Sequence, residues 1–219
     1  MAKDDQPPFI PQIDSSPVNQ HTQRDHARRR MAIMNSTNEG SNAALLEGLK
    51  PEILLLQSVI VPGGKTVDGT IVEAVDIPFF DILKLFEKDP DAIYQMSPRK
   101  FEEIIAAAYA REGYEVTLTP PSNDGGRDVI AVSRCGILIR VFDQAKKYAP
   151  GHVVKLHEVD SLIGVLSRDS NVSKGFVTTT STFAPRLEEA AGIKNLMPYR
   201  LELRDRSKLL AWFASLKRR

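Results

Sequence analysis

The sequence lacks the features that mark secreted, disulfide-bonded or membrane-spanning proteins. Its 219 residues contain one cysteine, Cys135, which excludes an internal disulfide and a cysteine-built zinc site. No apolar run is long enough to cross a bilayer, and the opening residues MAKDDQPPF do not form a signal peptide. We therefore expect a soluble, cytoplasmic protein.

An excess of charge of one sign is also missing. The chain has 29 Lys and Arg against 28 Asp and Glu, a formal net charge of +1. No overall basic field predicts a nucleic-acid partner, so any such binding must come from local patches. Apolar residues make up 42% of the chain and charged residues 26%, which is typical of a globular protein with a core.

The amino-terminal part divides into two regions. Residues 1–40 are rich in Pro, Gln, Asn, Asp and Ser, carry four arginines and have no apolar period, which predicts a flexible basic arm. Residues 41–96 form a small α+β region of unknown role. Its predicted elements are a short helix over 43–50, two strands around turns at 62–64 and 68–69, a helix over 78–87 and a further short helix begun by Asp89-Pro90.

The periodicity becomes clearer in residues 97–219. Ser97-Pro98 predicts a helix start and Gly113 its end, and Asp205 predicts the cap of a final helix. Between them we expect strands over 115–119, 127–132, 137–142, 175–180 and 199–203, with helices over 156–168 and 184–191. The order α-β-β-β-α-β-α-β-α predicts an α/β fold, a mixed β-sheet flanked by helices.

Asp128 lies at the start of a strand that is predicted to be buried. A charge in such a place is costly unless another group or a ligand compensates it. If residues 134–136 form a three-residue hairpin loop, Asp128 faces Phe142 across the two strands. Side chains alternate along a strand, so Gln144 and Lys146 then share the face of Asp128. A different loop length would change this register.

The preceding helix supplies a further group. Helical geometry places Glu102 at the edge of the apolar face, so it is the better candidate to point towards the sheet. Two carboxylates, from Asp128 and Glu102, and the amide oxygen of Gln144 form a set of ligands suited to Mg²⁺ or Mn²⁺. The amine of Lys146 could orient a water and hold a phosphate oxygen, a combination that indicates phosphodiester hydrolysis.

A simpler interpretation of the same residues stays open. Asp128 could pair with Arg127 or Arg140, and Lys146 could be an ordinary solvated charge. Adjacent strand residues point in opposite directions, which weakens the pairing with Arg127. Asp124 is expected to be a turn residue ahead of two glycines.

Four segments, FEEIIAAAYAREGYEV, DGGRDVIA, QAKKY and GFVTTTSTF, occur in an order and spacing that resemble the Mrr-type branch of the PD-(D/E)xK nuclease superfamily. The resemblance covers about residues 97–216. It implies a restriction-endonuclease-like sheet flanked by helices and metal-dependent DNA cleavage. It also implies that Asp128 is the motif aspartate, Gln144 fills the acidic or glutamine position, Lys146 is the motif lysine and Glu102 is the helix glutamate.

The resemblance further implies an endodeoxyribonuclease of restriction or phage defence that uses Mg²⁺ or Mn²⁺ and acts as a homodimer. Residues 1–96 could dock a partner protein, and they do not resemble a winged-helix reader of DNA. Because Gln144 is neutral, an inactive DNA-binding or assembly module on the same fold is the alternative. A structure-selective resolvase or an RNase is a third.

Contacts with nucleic acid are expected just beyond the motif. Lys147 and Tyr148 could touch a phosphate, although a surface pair at a strand end is as good an explanation. Arg127 precedes the motif aspartate and is a further candidate. The hydroxyl of Thr179 could contact phosphate at the sheet edge, but strand propensity explains the threonines without it.

Overall fold

The computed structural model describes residues 50–121, 126–133 and 137–216. The predicted basic arm, nearly all of the helix over 43–50, the turn residue Asp124 and the loop residues 134–136 lie outside this part of the chain. Within it, no helix combines the length and apolar character that a membrane span requires. From Lys50 onward the described residues belong to one compact unit.

The helices and strands of the described residues follow one another in a largely alternating order. They are α1 (Pro51–Leu56), β1 (Ile60–Lys65), β2 (Thr70–Ala74), α2 (Asp76–Lys88), a 3₁₀ helix (Pro90–Gln95), α3 (Pro98–Arg111), β3 (Glu115–Leu118), β4 (Val129–Ser133), β5 (Ile139–Lys146), β6 (Val153–Val154), α4 (Leu156–Arg168), β7 (Lys174–Thr179), β8 (Thr182–Phe183), a 3₁₀ helix (Leu187–Glu189), α5 (Ala191–Lys194), β9 (Leu201–Arg204) and α6 (Arg206–Leu216).

Seven of the described strands form one mixed sheet in the order β1-β2-β3-β4-β5-β7-β9. Neighbours from β1 to β5 are antiparallel, whereas β5, β7 and β9 run parallel to one another. The predicted mixed α/β sheet with flanking helices is therefore confirmed. A second small sheet pairs β6 with β8 and was not predicted.

The two faces of the sheet can be told apart at β5. Tyr109 of α3 donates a hydrogen bond to Asp143, whereas the next residue, Gln144, donates to Ser161 of α4. Because consecutive strand residues point to opposite faces, α3 covers one face and α4 the other. Helix α6 lies on the α3 face, since its Trp212 packs against Tyr109.

The predicted helix starts are confirmed by their caps. The Ser97 hydroxyl accepts a hydrogen bond from the Lys100 N–H at 3.1 Å, and the Asp205 carboxylate accepts one from the Lys208 N–H at 2.8 Å. These side chains satisfy amides that have no partner within the helix. The predicted helix over 156–168 agrees with α4 at both ends.

The prediction of two strands within residues 51–75 was partly wrong. Residues 51–56 are helical, because Pro51 occupies the first turn and Leu54 and Leu55 bury one side of the helix. The expected turn at 62–64 lies inside β1, where the pairing with β2 shifts between Pro62 and Lys65. An edge strand tolerates proline because one row of its N–H groups has no ladder partner.

The continuous helix predicted over 184–191 was also wrong. The structure has a 3₁₀ helix followed by the four-residue α5 in this region. Arg186 has φ 62°, a left-handed conformation that a regular right-handed helix cannot contain. The period of the apolar residues does not reveal such a break.

Strands β1 and β2 extend the same sheet as the later strands. Residue Val72 of β2 pairs with Val116 of β3, so the hairpin from residues 60–74 continues the ladder of the nuclease-like part. The predicted domain boundaries at residues 40 and 96 stay predictions. The described part of residues 41–96 supplies two strands to the common sheet.

Candidate active site

The pairing of β4 with β5 sets the register of the candidate site. Val129 lies opposite Asp143 and Ser133 opposite Ile139, so five residues rather than three separate the two strands. The predicted three-residue loop is wrong, and Phe142 lies opposite Ile130 rather than Asp128. A shift of two residues preserves the face of each paired side chain. Asp128 precedes the paired residues, so its position on the face of Gln144 and Lys146 stays a prediction.

Asp128 lies where the two strands separate. Its N–H donates to the Asp143 carbonyl at 2.9 Å, and one step further along β5 the Ala145 N–H donates to the Asp128 carboxylate at 2.7 Å. The side chain thus replaces the main chain as the partner of Ala145, and the carboxylate is held at the end of the ladder. The charge at the strand mouth has a defined position.

Gln144 is 4% exposed and points to the α4 face. Its amide nitrogen donates to the Ser161 hydroxyl at 2.7 Å, whereas its amide oxygen, Oε1, is buried and has no hydrogen-bond partner among the described residues. A buried carbonyl oxygen without a partner is costly in a finished core. A bound cation would satisfy this oxygen.

Gly126 brings the loop before β4 against the same helix. It has φ +82°, and a Cβ at this position would lie 3.0 Å from the Cβ of Ser161. Glycine therefore meets two requirements here, a left-handed backbone and a close approach to α4. This contact places Gly126, two residues before Asp128, beside the helix whose Ser161 bonds Gln144.

Lys146 ends β5 two residues beyond Gln144. Its carbonyl accepts a hydrogen bond from the Thr179 hydroxyl at 2.7 Å, which fixes the strand end against β7. Within the described part of the chain, its partly exposed amine has no hydrogen-bond or ion-pair partner. The amine is therefore available to a ligand.

Glu102 reaches the same end of the sheet from α3. Its carboxylate pairs with Arg99 at 2.7 Å, and Arg99 also donates to the Thr119 carbonyl at 2.9 Å. Thr119 is the residue after β3, and its hydroxyl and N–H donate to the Asp128 carbonyl. Glu102 is thus tied to the Asp128 backbone through two intermediates, on the face opposite Gln144. Arg99 was not anticipated from the sequence.

The arginines that could have neutralised Asp128 have another partner. Arg127 and Arg140 both pair with Asp68, at 3.1 and 3.4 Å, and both guanidinium groups stack on the Phe142 ring at 5.0 Å. Asp68 comes from the turn between β1 and β2. The prediction that Arg127 contacts nucleic acid stays a prediction, and an occupied guanidinium would have to exchange Asp68 for phosphate.

Two other predicted nucleic-acid contacts have partners within the chain. The Lys147 amine donates to the Tyr94 carbonyl at 2.9 Å. Thr179 is 0% exposed, with its hydroxyl bonded to Lys146, so in this structure it supports β5 rather than facing solvent. These contacts give both residues a structural role beside the predicted one.

Tyr148 belongs to a small cluster that joins the end of the motif to α4. Its hydroxyl donates to Glu158, and its ring stacks on His152 with centroids 3.7 Å apart. Burial and the hydrogen bond to Glu158 raise the pKa of Tyr148 to about 12. Burial alone would raise the pKa of Glu158, but the hydrogen bonds from Tyr148, Lys155 and His152 outweigh it and lower that pKa.

The oxygens at this end of the sheet fit a hard divalent cation. The described residues contain no group of three His, Cys, Asp or Glu side chains that could hold a metal by themselves. The candidate set reaches three only because Gln144 contributes an amide oxygen, and that oxygen is the one left without a partner. Carboxylate and carbonyl oxygens are the usual ligands of Mg²⁺ and Mn²⁺.

Asp143 was not anticipated from the sequence, although the sequence contains a signal for it. It is a carboxylate inside an otherwise apolar strand and is 0% exposed in the structure. Burial raises the pKa of Asp143, while Arg204, Thr178 and Tyr109 act in the opposite direction. A charge at the centre of a buried strand predicts a buried partner, but the sequence does not say which residue that partner is.

One family model and one curated protein match this chain in sequence. The model of a family described as restriction endonuclease, Mrr_cat, matches residues 93–213. Uncharacterized protein y4cE of Sinorhizobium fredii (strain NBRC 101917 / NGR234) is 25% identical over 132 residues, which are 60% of this chain and 33% of that protein. The chain therefore spans about a third of the length of the curated relative it matches.

Two solved structures were also found to be similar. One is the MspJI restriction endonuclease in complex with a 27-mer oligonucleotide, with 19% identity and a TM-score of 0.37 over 64% of this chain and 32% of that chain. The other is the DNA modification-dependent restriction endonuclease AspBHI, with 20% identity and a TM-score of 0.43 over 74% of this chain and 40% of that chain.

Proposed function

This chain belongs to the restriction endonuclease family whose catalytic-domain model it matches over residues 93–213, and we propose that it is a divalent-metal-dependent DNA endonuclease of restriction or phage defence. The observation that carries the metal requirement is the buried amide oxygen of Gln144, which lacks a partner among the described residues. The Asp128 carboxylate accepts the N–H of Ala145, the residue after Gln144, and Lys146 lies two residues beyond Gln144 on β5.

Three side chains would hold the cation. Gln144 offers Oε1 because Ser161 already accepts from its amide nitrogen. Asp128 offers its carboxylate, which the Ala145 N–H holds at the strand end. Glu102, on the α3 face, would have to reach past the ends of β4 and β5 to add a second carboxylate. When bound, Mg²⁺ or Mn²⁺ would neutralise charge that develops on the scissile phosphate and lower the pKa of a water molecule.

The amine of Lys146 would orient the attacking water and bind the phosphate. The Thr179 hydroxyl fixes the main chain of Lys146, so its amine is directed from a rigid strand end. A protonated amine there orients the attacking water and binds a non-bridging phosphate oxygen. Lys147 and Tyr148 would then meet the flanking phosphates, and Arg127 would do so after releasing Asp68.

A plasmid assay tests this proposal. The purified chain should nick or linearise a plasmid in Mg²⁺ and lose that activity in EDTA. Lys146→Ala should reduce the rate by roughly a hundredfold or more, as expected for loss of a positioned charge in the transition state. Lys88→Ala, which removes an exposed lysine at the end of α2, is the matched control and should cleave normally. Equal cutting by Lys146→Ala would contradict the assignment.

The neutral Gln144 favours one second candidate, a DNA-binding or assembly module that has kept the fold and lost catalysis. A glutamine in place of an acid leaves the ligand set one negative charge short. DNA binding without cleavage in Mg²⁺ or Mn²⁺ would support this second function. A panel of duplex, single-stranded and branched DNA and RNA would separate a duplex endonuclease from a resolvase or an RNase.

Assembly is part of the same proposal. Cleavage of both strands of a duplex requires two active sites, so we propose a homodimer, with residues 1–96 available to a partner protein. Light scattering of the purified chain measures the mass directly. A monomer that linearises plasmid only through accumulated nicks would contradict the dimer.

A further inference from the structure

The α3 face of β5, behind the candidate site, carries an ion pair that the proposed chemistry does not use. Asp143 of β5 and Arg204 of β9 lie on the two sides of β7 and are joined at 3.3 Å. Both residues are buried, with 0% and 7% exposure. The pair therefore connects strands that do not hydrogen-bond to each other.

All the described donors to Asp143 converge on one oxygen. Oδ2 accepts hydrogen bonds from Tyr109 of α3 and Thr178 of β7, each at 2.9 Å, as well as from Arg204. The other oxygen, Oδ1, is buried and has no partner among the described residues. Three donors from three elements fix the position of one carboxylate oxygen and so fix the β5 backbone at this residue.

Arg204 is held as firmly as Asp143. Its guanidinium lies 4.0 Å from the centre of the Trp212 ring and 4.4 Å from that of Phe176. Arginine stacks on aromatic faces through its flat, weakly hydrated guanidinium. The stack leaves Arg204 little freedom to follow a displacement of β5.

The main chain links this cluster to the candidate ligands on the other face. The Asp143 carbonyl accepts the N–H of Asp128, and Gln144 is the next residue along β5. The residue after Thr178, Thr179, donates to the Lys146 carbonyl. Asp128 is thus one hydrogen bond from the cluster and Gln144 one residue from it, whereas Lys146 is connected through one residue and one hydrogen bond.

Stability alone is a poor explanation for the pair. A buried ion pair is often matched or exceeded in stability by apolar residues of similar volume. We propose that Asp143 and Arg204 are positioning residues, which fix the end of β5 so that Gln144 and Lys146 face Asp128. This inference rests on the proposed function for its purpose, but its structural effect can be measured without cleavage.

Amide hydrogen exchange in the full chain tests the proposal. The double variant Asp143→Leu/Arg204→Met removes both charges and leaves no unpaired ion. We expect it to melt within a few degrees of the unaltered protein, while the amides of Asp128 and Ala145 exchange at least about tenfold faster. Exchange at Leu162 in α4 should stay constant and reports on global opening.

The matched control removes another ion pair between β7 and β9. Lys174 and Glu202 pair at 2.5 Å and are partly exposed, and neither lies on β5. Lys174→Met/Glu202→Leu should therefore leave exchange at Asp128 and Ala145 unchanged. Unchanged exchange at both amides in a folded Asp143→Leu/Arg204→Met protein would overturn the proposal.

A milder variant tests the same proposal if the double variant does not fold. Thr178→Val keeps the shape and deletes one donor to Asp143, so exchange at Ala145 should rise less but measurably, and unchanged exchange would again overturn the proposal. In the plasmid assay the double variant should lose kcat and keep KM. If the unaltered protein binds no metal and cuts nothing, the proposed function fails, while the exchange data still decide the positioning role.

Discussion

Replacing Gln144 by glutamate should tighten binding of Mg²⁺ or Mn²⁺ by roughly tenfold to a hundredfold. The change puts a formal negative charge on the side chain whose Oε1 is buried without a partner among the described residues. The side chain keeps its length, and the Ser161 hydroxyl at 2.7 Å can donate to a carboxylate as readily as it accepts from an amide. The site therefore changes in charge rather than in shape.

The magnitude follows from the burial of Gln144, which is 4% exposed. Two unit charges about 4 Å apart at an effective dielectric constant of about 20 interact by about 4 kcal/mol, and a divalent ion doubles this. Dehydration of the carboxylate costs several kcal/mol of this attraction. Loss of the hydrogen bond from the Gln144 amide to Ser161 removes a further part of it. A net gain of about 1.4–2.8 kcal/mol remains, which corresponds to the stated range.

Calorimetric titration with Mn²⁺ at neutral pH measures this change, and the melting temperature with and without the ion provides a second readout. Without the ion the variant should melt lower, because burial disfavours the new charge. Asn171→Asp is the matched control, since it makes the same chemical change at an exposed position preceding β7, at the opposite end of the sheet from Lys146. Equal affinity in Gln144→Glu and the unaltered protein would refute the assignment of Gln144 as a ligand.

Three further predictions concern the surroundings of the site. Gly126→Ala should destabilise the fold by roughly 1–3 kcal/mol, and by more than Gly113→Ala in denaturant unfolding, because both have positive φ but only Gly126 presses on Ser161; equal losses would contradict the close packing. The folded state holds the Tyr148 phenol proton more tightly than the unfolded chain, so this group's contribution to stability is complete below pH 10.0 and is lost as pH rises through about 12; thermal unfolding of Tyr148→Phe should lack that part of the decline, and parallel curves would count against the Tyr148–Glu158 bond. Arg99→Ala should change stability by less than about 1 kcal/mol but raise Mn²⁺ affinity a few-fold, because it removes a cation 2.7 Å from Glu102; Arg111→Ala, which breaks the more exposed pair with Asp76, should leave affinity unchanged.

Local sequence predicted most of the elements of the nuclease-like part. Ser97-Pro98 and Asp205 identified helix starts because capping involves only residues three positions apart. The helix over 156–168 could be placed because its apolar residues repeat at helical spacing over more than three turns. The same rules failed over 184–191, where left-handed Arg186 precedes a 3₁₀ helix and Ala190, with ψ 134°, separates that helix from α5.

The site could be predicted in part for a similar reason. Gln144 and Lys146 are two residues apart on one strand, so alternation alone puts them on one face. The relation of Asp128 to both depended on the hairpin loop, whose length was wrong by two residues. An even error leaves the face of each paired side chain unchanged, whereas an error of one residue would have reversed it. Asp128 precedes the paired residues, so its common face with Gln144 and Lys146 stays a prediction.

Sequence by itself determined the alternation of helices and strands, the common face of Gln144 and Lys146, and the resemblance that pointed to the restriction endonuclease family, because each depends on residues close together in the chain. Tertiary structure alone decided that Ser161 holds the Gln144 amide and that Arg204 reaches Asp143 across β7. These partners are separated by 17 and 61 positions. A polar side chain in a buried strand indicates that a hydrogen-bond partner is required. Only the packing of the sheet and helices determines which residue comes within hydrogen-bonding distance.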